Sequence, residues 1–125
     1  MYTLAMRRDF VARHFLVGRD FGRENEKHPH KYALELVLEG SVLNEDGYLV
    51  DLVKVDANLE VILSHYRNQT LNDLPEFKGL NPSIENLCRI VCEKAAGLMA
   101  ASNVGAVTVR VWEDEAAWAS YRMER

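Results

Sequence analysis

The chain has only four histidines, and three of them fall where an imidazole is costly unless something binds it. His28 and His30 are two residues apart in HPHKY, so on an extended chain both rings point to the same side. They share parity with Tyr32, Leu34 and Leu36, the apolar side of that segment. His14 lies on the apolar parity of an earlier segment, TLAMRRDFVARHF. A lone histidine on an apolar face is ordinarily a hydrogen-bonded core residue. Three converging at one end of a sheet are different: burying each without a partner costs at least ~1–3 kcal/mol, and one metal ion satisfies them all. Three neutral imidazoles suit Zn²⁺ and leave a fourth position open, the pattern of catalytic rather than structural zinc.

Glu113 is the next residue of interest. It continues the Val107, Val109, Val111 parity, so a carboxylate ends an apolar strand face. Either it turns out into solvent where the strand ends, or it is a buried acceptor waiting for donors. Cys88 and Cys92 have the i, i+4 spacing of a chelating pair, but no His or Cys flanks them and both fall on or beside an apolar helical stripe. That pattern is expected of small core residues. Trp112 and Trp118 are expected in the core or an interface.

The elements that must position these residues follow from periodicity. In the first segment Leu4, Met6, Phe10, Ala12 and His14 share one face, with Arg8 the one residue out of pattern. LVGRDFGRENEKHP, rich in glycine and charge, reads as a loop. A second strand follows, with Tyr32, Leu34, Leu36 and Leu38 on one side, and then a turn at Asn44-Glu45-Asp46-Gly47. Asp51 is placed to cap a helix whose apolar face is Leu52, Val55, Leu59, Ile62 and Tyr66. A second helix, with Pro82 in its first turn, buries Ile84, Leu87, Cys88, Val91, Ala95 and Leu98. AVTVRVWE and AAWASYRM read as the closing strands. The order β-β-α-α-β-β implies an α+β fold, an antiparallel sheet with both helices on one face.

At 125 residues the chain fits a single domain, residues 1–125, long enough to bury a core without staples. A net charge of −4 argues against a nucleic-acid or anionic-membrane partner held by bulk charge. No apolar run approaches the ~20 residues of a membrane span, and the N-terminus is unlike a signal peptide, so the expected location is cytoplasmic with both cysteines reduced. Residues 1–31 hold seven Lys/Arg against four Asp/Glu. This excess is either a solvated surface or a basic mouth for an anionic small molecule.

Taken together, the motifs resemble a known family. FVARHF looks like the Phe-x-Ala-x-His strand of the 6-pyruvoyl tetrahydropterin synthase and 6-carboxytetrahydropterin synthase family. HPHKY is similar to its His-Gly-His motif, GYLVDL to Val-x-Asp-Phe, TLND to Leu-Asn-Asp, and NPSIEN to Asn-Pro-Thr-x-Glu-Asn. VRVWEDEAAWASY resembles its closing segment. The resemblance implies the T-fold, with trimers pairing into hexamers and active sites between subunits. It also implies one zinc on His14, His28 and His30, and a reduced pterin as substrate, expected to be 7,8-dihydroneopterin triphosphate. The carboxylate matching Glu113 would grip the 2-amino-pyrimidine edge of the pterin, helped by Ser83 and Glu85.

The chain also departs from the family pattern. Members performing the synthase reaction carry a cysteine base four residues before the His-x-His pair, where this chain has Glu24. They carry an Asp-His pair before Leu-Asn-Asp, where this chain has Arg67 and Asn68, with His65 nearby. A branch with glutamate in place of the cysteine makes 6-hydroxymethyl-dihydropterin, a folate precursor. Glu24 is therefore the expected base, with Glu26 its competitor, and the positive loop bearing Arg19, Arg23 and Lys27 would meet the phosphates. The alternative to an enzyme is a module that binds a pterin or purine without catalysis.

Overall fold

Two long alternating segments build the half of the sheet that carries the histidines. In the computed structural model, which describes residues 1–125, β1 (Tyr2–His14) and β2 (His28–Gly40) pair antiparallel along their whole lengths. The register sets His14 opposite His28 and Ala12 opposite His30. α1 (Leu52–Tyr66) and α2 (Ile84–Leu98) intervene before β3 (Ala106–Trp112) and β4 (Trp118–Glu124) complete a four-stranded sheet in the order β1-β2-β3-β4. Every pairing is antiparallel. The even-numbered residues of β1 and β2 and the valines of β3 share one core with α1 and α2, which is the α+β layering expected from the sequence. The strand order leaves β1 and β4 as the outer strands.

Arg8 keeps the parity of its strand after all. It lies on the helix side, half-buried, and reaches an ion pair with Asp56 of α1. A long side chain whose stem packs while its head finds a carboxylate does not break an apolar face.

The helix starts are made by side chains. The Asp51 carboxylate accepts from the Val53 N–H at 2.9 Å, and the Ser83 hydroxyl oxygen accepts from the Asn86 N–H at 3.1 Å. Pro82 therefore stands before the cap, not in the first turn of α2, because the Ser83 hydroxyl takes the capping role one residue later. Leu52 and Leu98, expected in the apolar stripes, are instead 48% and 43% exposed. Each is the terminal residue of its helix, whereas the stripe residues between the ends lie under the sheet. The two tryptophans also stay out of the core. They lie on the sheet face opposite the helices, ring centroids 6.4 Å apart, with the Arg110 guanidinium 4.3 Å from the Trp118 ring.

The loop between β1 and β2 is anchored from a distance. The Asn72 side chain accepts from the Phe15 N–H at 3.0 Å and donates to the Phe15 carbonyl at 2.8 Å. Asn81 does the same for Val17, at 2.8 and 3.0 Å. Asn25 ties the loop to itself, donating to the carbonyls of Leu16 and Arg19 and accepting from the Phe21 N–H. Asn72 and Asn81 thus treat alternate residues as a strand would, and the segment becomes a fixed platform after His14. Asn72→Ala removes both bonds to Phe15 and should lower unfolding free energy by about 1–3 kcal/mol. Denaturant unfolding measures the loss, and limited proteolysis should show new cleavage between residues 15 and 28; unchanged stability and protection would contradict the anchoring role.

Candidate active site

The pairing of β1 with β2 brings the three histidines to one point. Nε2 of His28 lies 3.0 Å from Nε2 of His14 and 2.8 Å from Nε2 of His30. His14 is buried, and His28 and His30 are about three-quarters so, with side-chain exposures of 25% and 23%. His28 Nδ1 donates to the Glu26 carbonyl at 2.6 Å, and since a carbonyl only accepts, this fixes the tautomer with its Nε2 lone pair facing the cluster. His14 Nδ1 is hydrogen-bonded to the Tyr32 hydroxyl at 2.6 Å, which sets the rotation of that ring. Burial, followed by the charges of His30 and His28, pushes the His14 pKa down to about 4, so the ring is neutral at pH 7. Burial raises the Tyr32 pKa far above the usual range, and the charges of Glu113 and Glu24 add to it, so Tyr32 keeps its proton.

Three imidazoles with Nε2 atoms this close form a group that could hold a metal ion. Nitrogen lone pairs at 2.8–3.0 Å repel unless a cation or a shared proton lies among them. Three rings, each offering Nε2 and two of them held through Nδ1, match the way proteins orient histidine ligands from behind. Glu24 belongs to the same group: one ligand atom from each of His14, Glu24, His28 and His30 lies within 4.8 Å of the others.

Two carboxylates flank the rings. Glu24, in a single 3₁₀ turn (Gly22–Asn25), places Oε2 3.3 Å from His28 Nε2 and 3.8 Å from His14 Nε2. Glu113, directly after β3, places Oε1 3.4 Å from His30 Nε2 and 3.7 Å from His14 Nε2. Of the alternatives open for Glu113, it is an acceptor turned toward the rings, 34% exposed. A cleft of about 510 Å³ opens beside them, lined by His14, His30, Glu24 and Glu113 together with Ser83, Glu85 and Asp114. The side chains singled out from the sequence for metal and substrate therefore meet at one cleft, with His28 just behind it.

Other expectations do not reach the cleft. Arg19, Arg23 and Lys27 do not line it, and the Arg19 guanidinium instead lies 4.4 Å from the centre of the Phe21 ring. Arg67 pairs with Glu60 at 2.7 Å. Asn68 adopts the left-handed φ of 61° that asparagine tolerates and donates its N–H to the Val11 carbonyl. His65 is engaged by Glu76 at 2.9 Å, a carboxylate shared with Tyr66 and Lys94. Hydrogen bonds from Lys94 and Tyr66 outweigh burial and hold the Glu76 pKa at about 2. Cys88 and Cys92 are free and buried, and burial pushes the Cys88 thiol up to about 11. The sequence reading missed Tyr32 as the partner of His14, and missed the roles of Asn25, Asn72 and Asn81 in holding the loop that carries Glu24. The sequence signal for Tyr32 was its parity with His30.

Comparison with known proteins agrees with this fold. The family model for 6-pyruvoyl tetrahydropterin synthase matches residues 3–124. The chain belongs to that family. Family membership places it among pterin-processing lyases. The solved structure of Caenorhabditis elegans 6-pyruvoyl tetrahydropterin synthase is 26% identical, with a TM-score of 0.82 over 99% of this chain and 98% of that one. A Plasmodium vivax 6-pyruvoyltetrahydropterin synthase, solved as a mutant in which a catalytic glutamate is replaced by alanine, is 13% identical with a TM-score of 0.81, again over 99% and 98%. Plasmodium falciparum 6-pyruvoyl tetrahydropterin synthase is 14% identical, with the same TM-score and coverage. These two Plasmodium likenesses are likenesses of fold. No curated protein sequence matches significantly. No helix is long and apolar enough to cross a membrane.

Tyr32→Phe deletes the hydrogen bond to His14 while keeping the ring stacked on Phe10, 5.2 Å between centroids. Titration with Zn²⁺ against a competing chelator should show affinity lowered about 10-fold or more, with the far-UV spectrum unchanged. Equal affinity in the variant would show that Tyr32 does not orient the ligand.

Proposed function

We propose that the chain is a zinc-dependent lyase that cleaves the side chain of a reduced pterin, with Glu24 as base and Glu113 as the anchor of the pterin ring. The observation that carries this reading is the pair of carboxylates on either flank of the histidine cluster, Glu24 on the His28 side and Glu113 on the His30 side. Zinc held by His14, His28 and His30 would supply Lewis-acid polarisation to a side-chain oxygen of the substrate. The remaining chemistry belongs to the chain's own residues.

Glu113 offers two acceptor oxygens to the paired N–H donors of the 2-amino-pyrimidine edge. The Ser83 oxygen is occupied by the Asn86 N–H, which leaves its hydroxyl hydrogen for a ring acceptor, and Glu85 lines the same wall. With the ring held, the side chain lies toward the histidines and Glu24. Glu24 takes the proton from the hydroxyl on the second side-chain carbon. The bond between the first and second carbons then breaks, and its electron pair passes into the C6–N5 imine of the dihydropterin. Protonation of the first carbon leaves a 6-hydroxymethyl group, and the detached carbons depart as an aldehyde. This is the glutamate-type reaction, and the absence of any thiol from the cleft lining favours it over the cysteine-based synthase reaction. The outer edges of β4 and of β1 before Val11, where residues 68–70 begin to cover it, fit assembly into trimers and hexamers, with a neighbouring chain completing the cleft.

Glu24 rather than Glu26 brings its carboxylate to the rings, while Glu26 contributes its backbone carbonyl to His28. Glu24→Gln should therefore keep zinc and pterin binding and lower turnover about 10²-fold or more. Glu26→Gln should leave the rate unchanged. The assay follows loss of 7,8-dihydroneopterin or its triphosphate and formation of 6-hydroxymethyl-dihydropterin by chromatography. Loss of zinc in Glu24→Gln would make Glu24 a ligand and not the base. A wild-type protein that binds pterin without turning it over would instead be a non-catalytic binding module.

A further inference from the structure

We infer that Glu76 is a positioning residue for the cleft: its carboxylate clamps the connection between α1 and α2, and Asn72 passes that clamp to the loop that carries Glu24. The link to turnover rests on the reading of Glu24 as base; the link to loop geometry does not. Glu76 lies in a single 3₁₀ turn (Pro75–Phe77), between Asn72 and Asn81. One of its oxygens, Oε2, accepts from three side chains: His65 Nε2 at 2.9 Å, the Tyr66 hydroxyl at 2.9 Å and Lys94 Nζ at 2.6 Å. His65 and Tyr66 end α1, and Lys94 belongs to α2, where its ammonium also lies 4.7 Å from the centre of the Tyr66 ring. Burial opposes the charge, but the hydrogen bonds from Lys94 and Tyr66 keep the carboxylate ionised at pH 7, so all three bonds are charge-assisted.

The connection runs along the end of β1 as a further strand would, meeting alternate residues. The Asn68 N–H donates to the Val11 carbonyl, and the Gln69 carbonyl accepts from the Arg13 N–H. The Asn72 and Asn81 side chains then bond both backbone groups of Phe15 and of Val17. Beyond Phe15 the route to Glu24 is short. Leu16 donates its N–H to the Glu24 carbonyl at 2.6 Å and accepts from the Asn25 side chain at 2.9 Å. Asn72 holds Phe15 in place only if its own backbone is fixed. Leu71 and Phe77, both buried, tie that stretch to the core, but apolar packing is not directional. Three charge-assisted bonds on one oxygen are directional, and they fasten the turn after Asn72 to both helices. Asn81 has a second support, since the Asn86 side chain donates to its carbonyl at 2.9 Å. Phe15 therefore depends on Glu76 more than Val17 does.

The test is amide hydrogen exchange in the full-length, zinc-loaded protein, read at residue resolution by mass spectrometry, with turnover measured on the same variants. Glu76→Ala should speed exchange of the Phe15 N–H about 10-fold or more, Val17 less, and leave amides in the middle of β2 within about twofold. It should lower kcat about 10-fold with KM within about twofold, as expected of a misplaced base. In a Glu24→Gln background it should lower kcat no further, because both changes act through one carboxylate. Tyr66→Phe removes one donor and keeps the buried ring, so it decides the matter if Glu76→Ala does not fold; it should speed Phe15 exchange about threefold. Unchanged Phe15 exchange in both variants, or acceleration spread evenly over β1 and β2, would overturn the inference and leave the lyase reading standing. A further loss of kcat in the Glu24→Gln background would also overturn it, since Glu76 would then act other than through Glu24. Faster Phe15 exchange with turnover unchanged would support the clamp while removing Glu24 as the base.

Discussion

The register between β1 and β2 is the constraint on which everything at the cleft depends. Pairing His14 with His28 puts three rings on one face of the sheet, at one end, with His28 Nε2 3.0 and 2.8 Å from its two neighbours. A slip of one residue would turn one strand's side chains to the opposite face and break the cluster. The core guards against that slip. Phe10, Ala12, Tyr32 and Leu34 are buried on the same face as the histidines, so moving the cluster would also expose apolar area, at about 25 cal/mol per Å². The histidine-bearing end of the sheet is thus held in place by the residues that fold it.

The second dependence is on the loop after β1, which places Glu24. Nothing in residues 15–27 forms a strand or an α-helix, yet the segment is bonded at Phe15, Leu16, Val17, Arg19 and Phe21. Its anchors, Asn72 and Asn81, both lie in the connection between α1 and α2. The helices therefore act on the cleft twice, by covering the sheet and by carrying the connection that holds the loop bearing Glu24. The cleft that results is strongly negative, which suits polarised N–H and O–H donors.

Much of this was legible from the sequence because period-two alternation survives in both site-bearing strands, and because His14, His28 and His30 fall on the apolar parity. Asp51 as a cap and the valine face leading to Glu113 were legible for the same local reasons. What was not legible depends on distance along the chain. Asn72 and Asn81 reach backbone groups 57 and 64 residues away, and a motif gives no hint of which groups those are. The charge of the loop after β1 can be counted in sequence, but a count does not place side chains, and Arg19, Arg23 and Lys27 do not line the cleft within one chain. Leu52 and Leu98 carried the right spacing for burial and sit where the helix ends outrun their cover. Tyr32 read as a core aromatic, and its hydroxyl became meaningful only once β1 lay beside it.

The most direct test of the central claim, that three imidazole Nε2 atoms share one zinc, is X-ray absorption at the zinc edge on the purified zinc-loaded protein. The account predicts about one equivalent of zinc per chain, with three imidazole nitrogens at about 2.0–2.1 Å, any further ligand being oxygen and none sulfur. A spectrum requiring a sulfur ligand, one with fewer than three imidazoles, or a protein that retains no zinc when its histidines are intact would contradict it.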